Sequence, residues 1–241
     1  MTTGITIGLR FSDGTIAYLQ NDDVTTGSAG EEILTANQGG DLSQTSGISV
    51  GQAYTGKMCT HAFVIAQTQN ATTARLLWAN FRGPDGAIIV PMQGGILGNA
   101  QFLPLYKPVM MQTGVVAYAA WQAASDSATL IASVDVCSPA KCDNFFVVAV
   151  DGANTELKNK DGATIGQSMN GIVGQQFWAR YPGTLGLNEN LGGVSAITIS
   201  APDGAMKMLL PLSGGTVGND PSAVIPVRIN QNDSMFVNTD T

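Results

Sequence analysis

Residues 84–99, PDGAIIVPMQGGILGN, have a counterpart later in the chain. Residues 202–219 read PDGAMKMLLPLSGGTVGN, which is the same pattern with a two-residue insertion. Eight turn-forming residues recur in the same order, and they are Pro84, Asp85, Gly86, Pro91, Gly94, Gly95, Gly98 and Asn99 in the first stretch and Pro202, Asp203, Gly204, Pro211, Gly214, Gly215, Gly218 and Asn219 in the second. Self-similarity of this kind indicates an internal repeat.

The similarity extends on both sides of this pair of stretches. SVGQ at 49–52 aligns with TIGQ at 164–167, and ARLLWANFRGPDG aligns with SAITISAPDG. Downstream, FLPLYKPV aligns with AVIPVRIN through Pro104 and Pro226, and TGVVAY aligns with DSMFVN. The offset is about half of the chain throughout, so the sequence predicts two similar domains, 1–123 and 124–241.

A glycine-rich segment in both halves is better explained as a turn than as a phosphate-binding loop. Catalytic loops are seldom needed twice, whereas a turn that defines the fold must recur with it. Glycine and asparagine also reach left-handed backbone conformations at little cost. Gly94, Gly95 and Gly98 are therefore predicted to form a tight turn, and Gly214 is predicted to lie in the equivalent one.

Short runs of β-branched and aromatic residues, closed by Gly, Pro, Asn or Asp, fill most of the chain. This pattern predicts about a dozen strands and an all-β fold. We expect two tandem, similar antiparallel β-barrel or sandwich domains, jelly-roll-like, that arose by internal duplication. Hairpin turns are expected at Asp13–Gly14, Asp85–Gly86 and Asp203–Gly204. The prolines placed to protect edge strands are Pro91, Pro104, Pro211 and Pro226.

One segment favours a helix. Residues from Ser28 to about Asn37 carry a helical pattern, and Ser28 with Glu31 has the spacing of a capping box.

The charge composition excludes some functions. Only 12% of the residues are charged, and 11 basic against 18 acidic residues give a net charge of −7. Such a chain without a basic cluster repels a phosphate backbone, so direct nucleic-acid binding is not expected. No apolar run has the length of a transmembrane segment, and the N-terminus lacks the pattern of a signal peptide. An odd number of cysteines in a chain made in a cytoplasm favours free thiols, with pairing of Cys137 and Cys142 as the alternative.

GQAYTGKM at 51–58 has the glycine and lysine spacing of a P-loop. Its last position is Met58, where a Ser or Thr hydroxyl should hold magnesium, and a strand-like run follows where a helix should begin. FFVVAVD, which ends at Asp151, imitates a Walker B strand without the alternating strands and helices of that fold. Nucleotide hydrolysis is therefore not expected, and Lys57 is not predicted to be catalytic.

Other reactive residue types give no catalytic set. Cys59 and His61 would face the same side of a strand, which allows a nucleophile and its base, although a half-buried strand explains them as well. His61 is the only histidine, so a multi-histidine metal site is excluded. The segment 151–162, DGANTELKNKDG, offers oxygen ligands for calcium but lacks EF-hand spacing, and a solvated turn is the preferred interpretation. Trp78, Trp121 and Trp178 lie in separate strand-like runs and are expected to pack in a core or interface. We predict no catalytic, cofactor-binding or metal-binding residues.

The repeated PDG…P…GG…GN…P block in a charge-poor chain resembles the double-barrel, or double jelly-roll, capsid proteins of icosahedral viruses. The resemblance is architectural and covers nearly the whole chain. It implies a homotrimer with pseudo-sixfold symmetry that assembles into a virion shell with other virion proteins, after synthesis in a host cytoplasm. Such proteins carry no catalytic residues. A short chain leaves little room for loops and towers.

Three alternatives belong to other classes. A capsid-decorating or tail-tube protein would share the composition and would bind a preformed particle. A carbohydrate-binding β module would need an exposed aromatic side chain, for which Trp178 is the candidate. An enzyme is the weakest alternative, because only Cys59 and His61 favour it.

Overall fold

The computed structural model describes residues 3–24, 29–36, 48–67, 75–92, 101–122, 132–147, 154–180, 194–211 and 222–239. Within these ranges the fold is all-β with antiparallel strand pairs, as the sequence predicts, and it contains two four-residue helices. The chain forms two compact units, Met1–Ser125 and Asp126–Thr241. Each unit is described by itself.

The described residues of the first unit form one eight-stranded sheet and one helix. Its elements are β1 (Thr3–Phe11), β2 (Ile16–Val24), β3 (Ala29–Ala36), α1 (Val50–Ala53), β4 (Met58–Gln67), β5 (Arg75–Arg82), β6 (Ile88–Pro91), β7 (Leu103–Met110) and β8 (Val116–Gln122). The strand order is β6-β5-β8-β3-β2-β1-β4-β7. Strands β6 and β7 are the edges, and no hydrogen-bonded ladder between them closes the sheet into a barrel within the described ranges.

Three smaller sheets occur in the described part of the second unit. Its elements are β9 (Ala132–Cys137), β10 (Cys142–Val147), β11 (Asn154–Glu156), α2 (Ile165–Ser168), β12 (Val173–Gly174), β13 (Gln176–Arg180), β14 (Val194–Ser200), β15 (Met206–Pro211), β16 (Ser222–Ala223), β17 (Val227–Arg228) and β18 (Ser234–Thr239). The orders are β10-β9-β13-β16, β11-β18-β14-β15 and β12-β17.

Each unit has its own apolar core, built from alternate residues of its strands. In the first unit the core includes Leu9, Phe81 and Val109, and in the second it includes Val136, Phe177 and Ile199. Alternation along a strand sends successive side chains to opposite faces, which is why one face of each sheet is apolar.

The strand pairs of the second unit repeat those of the first. The order β15-β14-β18-β11 has the same connectivity as β6-β5-β8-β3, and β10-β9-β13-β16 has that of β2-β1-β4-β7. A constant offset of 118 residues relates the pairs of β5 with β8 to those of β14 with β18. Corresponding pairs are Arg82–Val116 and Ser200–Ser234, Phe81–Ala117 and Ile199–Met235, and Asn80–Tyr118 and Thr198–Phe236.

The irregularities of the ladders recur as well. A register shift between Leu76 and Trp78 in β5 has its counterpart between Val194 and Ala196 in β14. In the first unit, pairing of β2 with β3 joins the strands β6-β5-β8-β3 to the strands β2-β1-β4-β7 in one sheet. At the corresponding position in the second unit there is a single bridge, between Phe146 and Lys158. A β-bulge bends a strand at a fixed position, so the recurrence of these bulges shows that the two backbones bend at the same places.

The two helices occupy equivalent positions and explain the SVGQ and TIGQ match. The Ser49 side chain accepts a hydrogen bond from the Gln52 N–H at the start of α1. Thr164 does the same for Gln167 at α2, and the Gln167 side chain accepts from the Thr164 N–H to complete a capping box. The sequence therefore contains a capping box, but at Thr164 rather than at Ser28.

The helix expected from Ser28 to about Asn37 is wrong, because Ala29–Ala36 is strand β3. This strand pairs with β8 on one side and β2 on the other, and backbone pairing outweighs its weak helical pattern. The hairpin turns at Gly14, Gly86 and Gly204 are confirmed, each with positive φ. Gly94, Gly95, Gly98 and Gly214 lie outside the described residues.

The pairing registers correct the repeat alignment in detail. Pro91 corresponds to Leu209 rather than to Pro211, because the two-residue insertion follows the strand and does not interrupt it. Pro226 corresponds to Pro108 rather than to Pro104. The prediction that prolines mark edge strands is confirmed for Pro91, Pro104 and Pro211, which lie in the edge strands β6, β7 and β15 of the described sheets. It is wrong for Pro226, which lies between β16 and β17 and in neither strand.

Candidate functional sites

The P-loop-like segment 51–58 begins inside α1 and ends at the first residue of β4. The helix therefore precedes Lys57, whereas a phosphate-binding loop opens the helix that follows it. Lys57 Nζ donates hydrogen bonds to Asp13 Oδ2 and Thr15 Oγ1, each at 2.7 Å. The lysine thus fastens the β1–β2 turn to the start of β4. Asp151, the Walker B imitation, lies outside the described residues.

The same contact controls the charge of Asp13. The hydrogen bond from Lys57, reinforced by the Thr15 backbone N–H, holds the pKa of the Asp13 carboxyl well below its usual value. Both side chains are substantially exposed, at 35% for Lys57 and 50% for Asp13. Exposed pairs of this kind are screened by water and salt and contribute little to stability.

The Cys59 thiol and the His61 ring lie on opposite faces of the sheet, because a β-bulge separates the two residues. Cys59 lies opposite Phe11, which is buried, and His61 lies opposite Arg10, which is exposed. Neighbouring residues of β1 point to opposite faces, so their partners on β4 do too. The prediction that both side chains face the same side assumed a regular strand. Thr60 is an extra residue at the bulge, and it places the two side chains on opposite faces instead.

The individual contacts of this pair are structural. The Cys59 thiol is fully buried and donates a weak hydrogen bond to the His61 carbonyl, with 3.5 Å between Sγ and O. Burial raises the pKa of the Cys59 thiol to about 12. Because the thiolate is the nucleophilic form, this cysteine is inert at neutral pH. His61 Nδ1 lies 2.9 Å from Thr60 Oγ1.

The oxygen-rich segment 151–162 is divided among unrelated contacts. Glu156 Oε1 accepts a hydrogen bond from Ser234 Oγ at 2.6 Å, and Asp161 Oδ1 pairs with Lys160 at 2.9 Å. No group of three His, Cys, Asp or Glu side chains that could hold a metal ion occurs among the described residues. The predicted solvated turn is wrong for most of the described segment, because Asn154–Glu156 is strand β11 and Leu157 and Asn159 are buried; only residues 160–162 form an exposed turn.

Trp178 is 7% exposed on β13, directly opposite Asp135 of β9. Its indole Nε1 has no hydrogen-bond partner within the described ranges. A ring buried to this degree offers no open platform for a sugar. Trp78 and Trp121 lie on β5 and β8, and their side chains fall outside the description.

The expectation of free thiols is wrong for two of the three cysteines. Cys137 and Cys142 form a disulfide, and the one described free cysteine is the buried Cys59. The two half-cystines are directly opposed in the β9–β10 hairpin, with 4.1 Å between their Cα atoms. The register of the hairpin places the two cysteines opposite each other. The short turn SPAK between them therefore predicts the disulfide better than the expected cellular compartment does.

Sequence reasoning missed a polar network beside this disulfide. Lys141 Nζ donates to Ser168 Oγ and to the Ser168 carbonyl, both at 2.9 Å. Ser168 Oγ in turn hydrogen-bonds Asp143 Oδ2, which also accepts from Asn159 at 3.1 Å. Lys141 is 43% exposed, and a hydrated ammonium does not serve as a base for the serine. The network ties α2 to the hairpin.

A second omission is the ion pair between Lys207 and Asp233. Asp233 is fully buried, and its Oδ2 accepts hydrogen bonds from Lys207 Nζ and from the Asn230 N–H. Comparison of the two repeats in the sequence could have indicated this pair. At the offset given by the strand registers, these two residues correspond to the apolar Ile89 and Val115 of the first unit.

Comparison with known proteins finds no matching family model, no matching curated protein and no matching solved structure. Among the described helices, none is long and apolar enough to cross a membrane.

Proposed function

We propose that this chain is a structural virion protein that assembles with copies of itself into a shell, and that its units are two diverged copies of one ancestral β unit. The observation that carries the proposal is the repeated strand pairing, which includes the same register and the same bulge in β5 and β14. Two similar units in one chain let three chains approximate sixfold symmetry. Sixfold objects tile flat facets with a single protein species.

The surface supports self-association. Four large aliphatic side chains of the second unit are well exposed, and they are Met206, Leu209, Val224 and Ile225 at 60%, 48%, 79% and 48%. With only 12% charged residues, the chain has few groups to keep such surface hydrated. Apolar, charge-poor surface is typical of regions that become buried between subunits.

The residues that suggested chemistry are engaged in structural contacts. Lys57 is held by Asp13 and Thr15, and Cys59 is buried away from the His61 ring. Trp178 is nearly covered, which weighs against the carbohydrate-binding alternative. A structural role accounts for each of these residues without a substrate.

Size-exclusion chromatography with light scattering, followed by negative-stain microscopy, tests the proposal. We expect trimers that form closed or sheet-like particles at higher concentration or ionic strength. A matched pair of variants adds specificity: Val224→Asp places a charge on exposed apolar surface, and Asn232→Asp places it on exposed polar surface. Only the first should reduce assembly.

Other outcomes would replace the proposal. A stable monomer at tens of micromolar, unchanged by salt or divalent cations, contradicts a shell-forming role. Binding of that monomer to a preformed particle would identify a decoration protein, and stacked rings would identify a tail-tube protein. Glycan-array binding that Trp178→Ala abolishes would support the carbohydrate-binding module.

A further inference from the structure

Lys207 and Asp233 are arranged for a covalent link. We propose that Lys207 Nζ and Asp233 Cγ form an intramolecular amide bond, which makes this pair a self-modification site of the second unit. The inference goes beyond the proposed function and does not depend on it, because a chain of any function could carry such a bond.

The first line of argument is burial. Asp233 is completely buried, and Lys207 is 22% exposed. In each of the other described ion pairs, both the lysine and the acidic side chain are more exposed than in this one. In the first unit the corresponding positions hold Ile89, packed against the core, and Val115, which is 5% exposed. The pair thus occupies a location that the fold otherwise fills with hydrocarbon, where separated charges are costly.

The second line is the hydrogen bonding around the pair. Asp233 Oδ2 accepts from the Asn230 N–H at 2.7 Å, and Lys207 Nζ donates to the Arg228 carbonyl at 2.9 Å. Asp233 Oδ1 is buried and has no hydrogen-bond partner within the described ranges. A buried carboxylate oxygen without a partner is unfavourable.

An amide product fits this arrangement better than the ion pair does. Oδ2 would remain as the amide carbonyl and keep its hydrogen bond from Asn230. Nζ would keep one hydrogen, which already points to the Arg228 carbonyl. Oδ1, the atom without a partner, would leave, so the product has no unsatisfied polar atom at this position.

The reaction balances without a co-reactant. Proton transfer from the ammonium to the carboxylate gives a neutral amine and a carboxylic acid. The Nζ lone pair then attacks Cγ, the bond from Cγ to Oδ1 breaks, and Oδ1 leaves as water with two of the three ammonium hydrogens. Nothing is oxidised or reduced.

The bond would join parts of the sheet that backbone pairing leaves separate. Among the described strands, β15 pairs only with β14, and β18 lies on the far side of β14 in the order β11-β18-β14-β15. Asp233 immediately precedes β18. The link would therefore fasten an edge strand across its neighbour.

Intact mass spectrometry of the denatured, reduced protein tests the proposal. We expect wild type and Lys57→Arg to be lighter than their sequences by one water, and Lys207→Arg to have its full sequence mass. Lys57→Arg is the matched control, because it alters the exposed lysine–aspartate pair of the first unit. Fragmentation of a digest should yield one branched peptide that contains both Lys207 and Asp233.

Two results would overturn it. Wild-type protein at its full sequence mass excludes the bond outright, whether or not any variant folds. A water loss that persists in Lys207→Arg places the dehydration elsewhere, for example at an aspartate–glycine turn, and also excludes the bond.

Discussion

The two units place chemically opposite side chains at corresponding backbone positions. Ile89 and Val115 in the first unit are replaced by Lys207 and Asp233 in the second, yet β5, β6 and β8 pair in the same register as β14, β15 and β18. The backbone arrangement is therefore specified by turns, bulges and strand alternation. It accepts either two apolar residues or a lysine–aspartate pair at these two positions. A buried ion pair and well-packed apolar residues of similar volume can replace one another with little change in stability.

The units also differ at the first hairpin. Cys137 and Cys142 are joined by a disulfide at the end of β9 and β10, where the first unit pairs Arg10 with Ile16. The first unit stabilises its turn instead with Asp13 and Lys57. Each unit thus has its own local support for a shared fold.

The largest expected effect comes from the buried ion pair. Asp233→Ala removes the carboxyl group that both the ion pair and the proposed amide bond require, leaves Lys207 without its carboxylate, and should destabilise the second unit by about 3 to 5 kcal/mol. Giving the second unit the residues of the first, Lys207→Ile with Asp233→Val, should recover most of that loss, because no buried charge remains. Urea unfolding followed by far-UV circular dichroism measures both. A double variant as unstable as the single one would show that the apolar residues of the first unit cannot replace this pair in the second unit.

The next effect tests the glycines of the two helices. A Cβ on Gly51 would lie 2.1 Å from the Gln112 carbonyl oxygen, and one on Gly166 would lie 2.5 Å from that of Gln231. Backbone cannot move aside cheaply, so Gly51→Ala and Gly166→Ala should each cost about 3 kcal/mol. Hydrogen exchange by mass spectrometry should report the loss within the altered unit.

Gln52→Ala is the control for these glycine variants, since that side chain is exposed beside Gly51. It should leave exchange nearly unchanged. If only one of the two glycine variants loses protection from hydrogen exchange, the contacts of α1 and α2 with their units are not equivalent.

A smaller difference is expected at the helix caps. Thr164→Ala removes a full capping box, whereas Ser49→Ala removes a single hydrogen bond. Loss of a cap costs about 1 kcal/mol, and the Thr164 variant should lose more. Chemical denaturation of both variants gives the comparison. Equal losses would mean that the Gln167 side chain adds nothing.

The smallest effect concerns Asp13, and it should depend on pH. Its pKa is lowered in the folded state by Lys57, so its contribution is present above the unfolded value of about 4 and disappears as the pH falls toward the folded value. Asp13→Asn should therefore lower the melting temperature slightly near neutral pH and not at all in strong acid. A difference that grows on acidification would contradict this sign.

Sequence patterns predicted the all-β class and the hairpin turns because both depend on local chemistry. Alternation of apolar residues and the positive φ of Gly14, Gly86 and Gly204 need no distant partner. The repeat alignment placed a boundary after residue 123, and the compact units divide after Ser125. The alignment failed by two residues around Pro91, where an insertion at the end of a strand cannot be distinguished from one inside it without the register.

Apart from the local Cys137–Cys142 disulfide, the main remaining errors involve contacts distant in sequence. Strand β3 resembled a helix because only its pairing with β8 reveals it as a strand. Cys59 and His61 were assigned to one face because a bulge is fixed by β1 and not by β4 alone. Lys207 and Asp233 carry no motif, and each becomes informative only when the sister residues Ile89 and Val115 are set beside them.

The position of the last strand in each unit has a consequence for synthesis on the ribosome. Strand β8 lies between β5 and β3, and β18 lies between β14 and β11, so in each unit the latest strand to be made occupies the interior of its sheet. The unit cannot complete its sheet until that strand has emerged from the exit tunnel. Domains fold in order during translation, and pairing between distant segments is slow. The second unit therefore reaches its final form only after residue 239 has been added, which delays until then any subunit contact that requires both units.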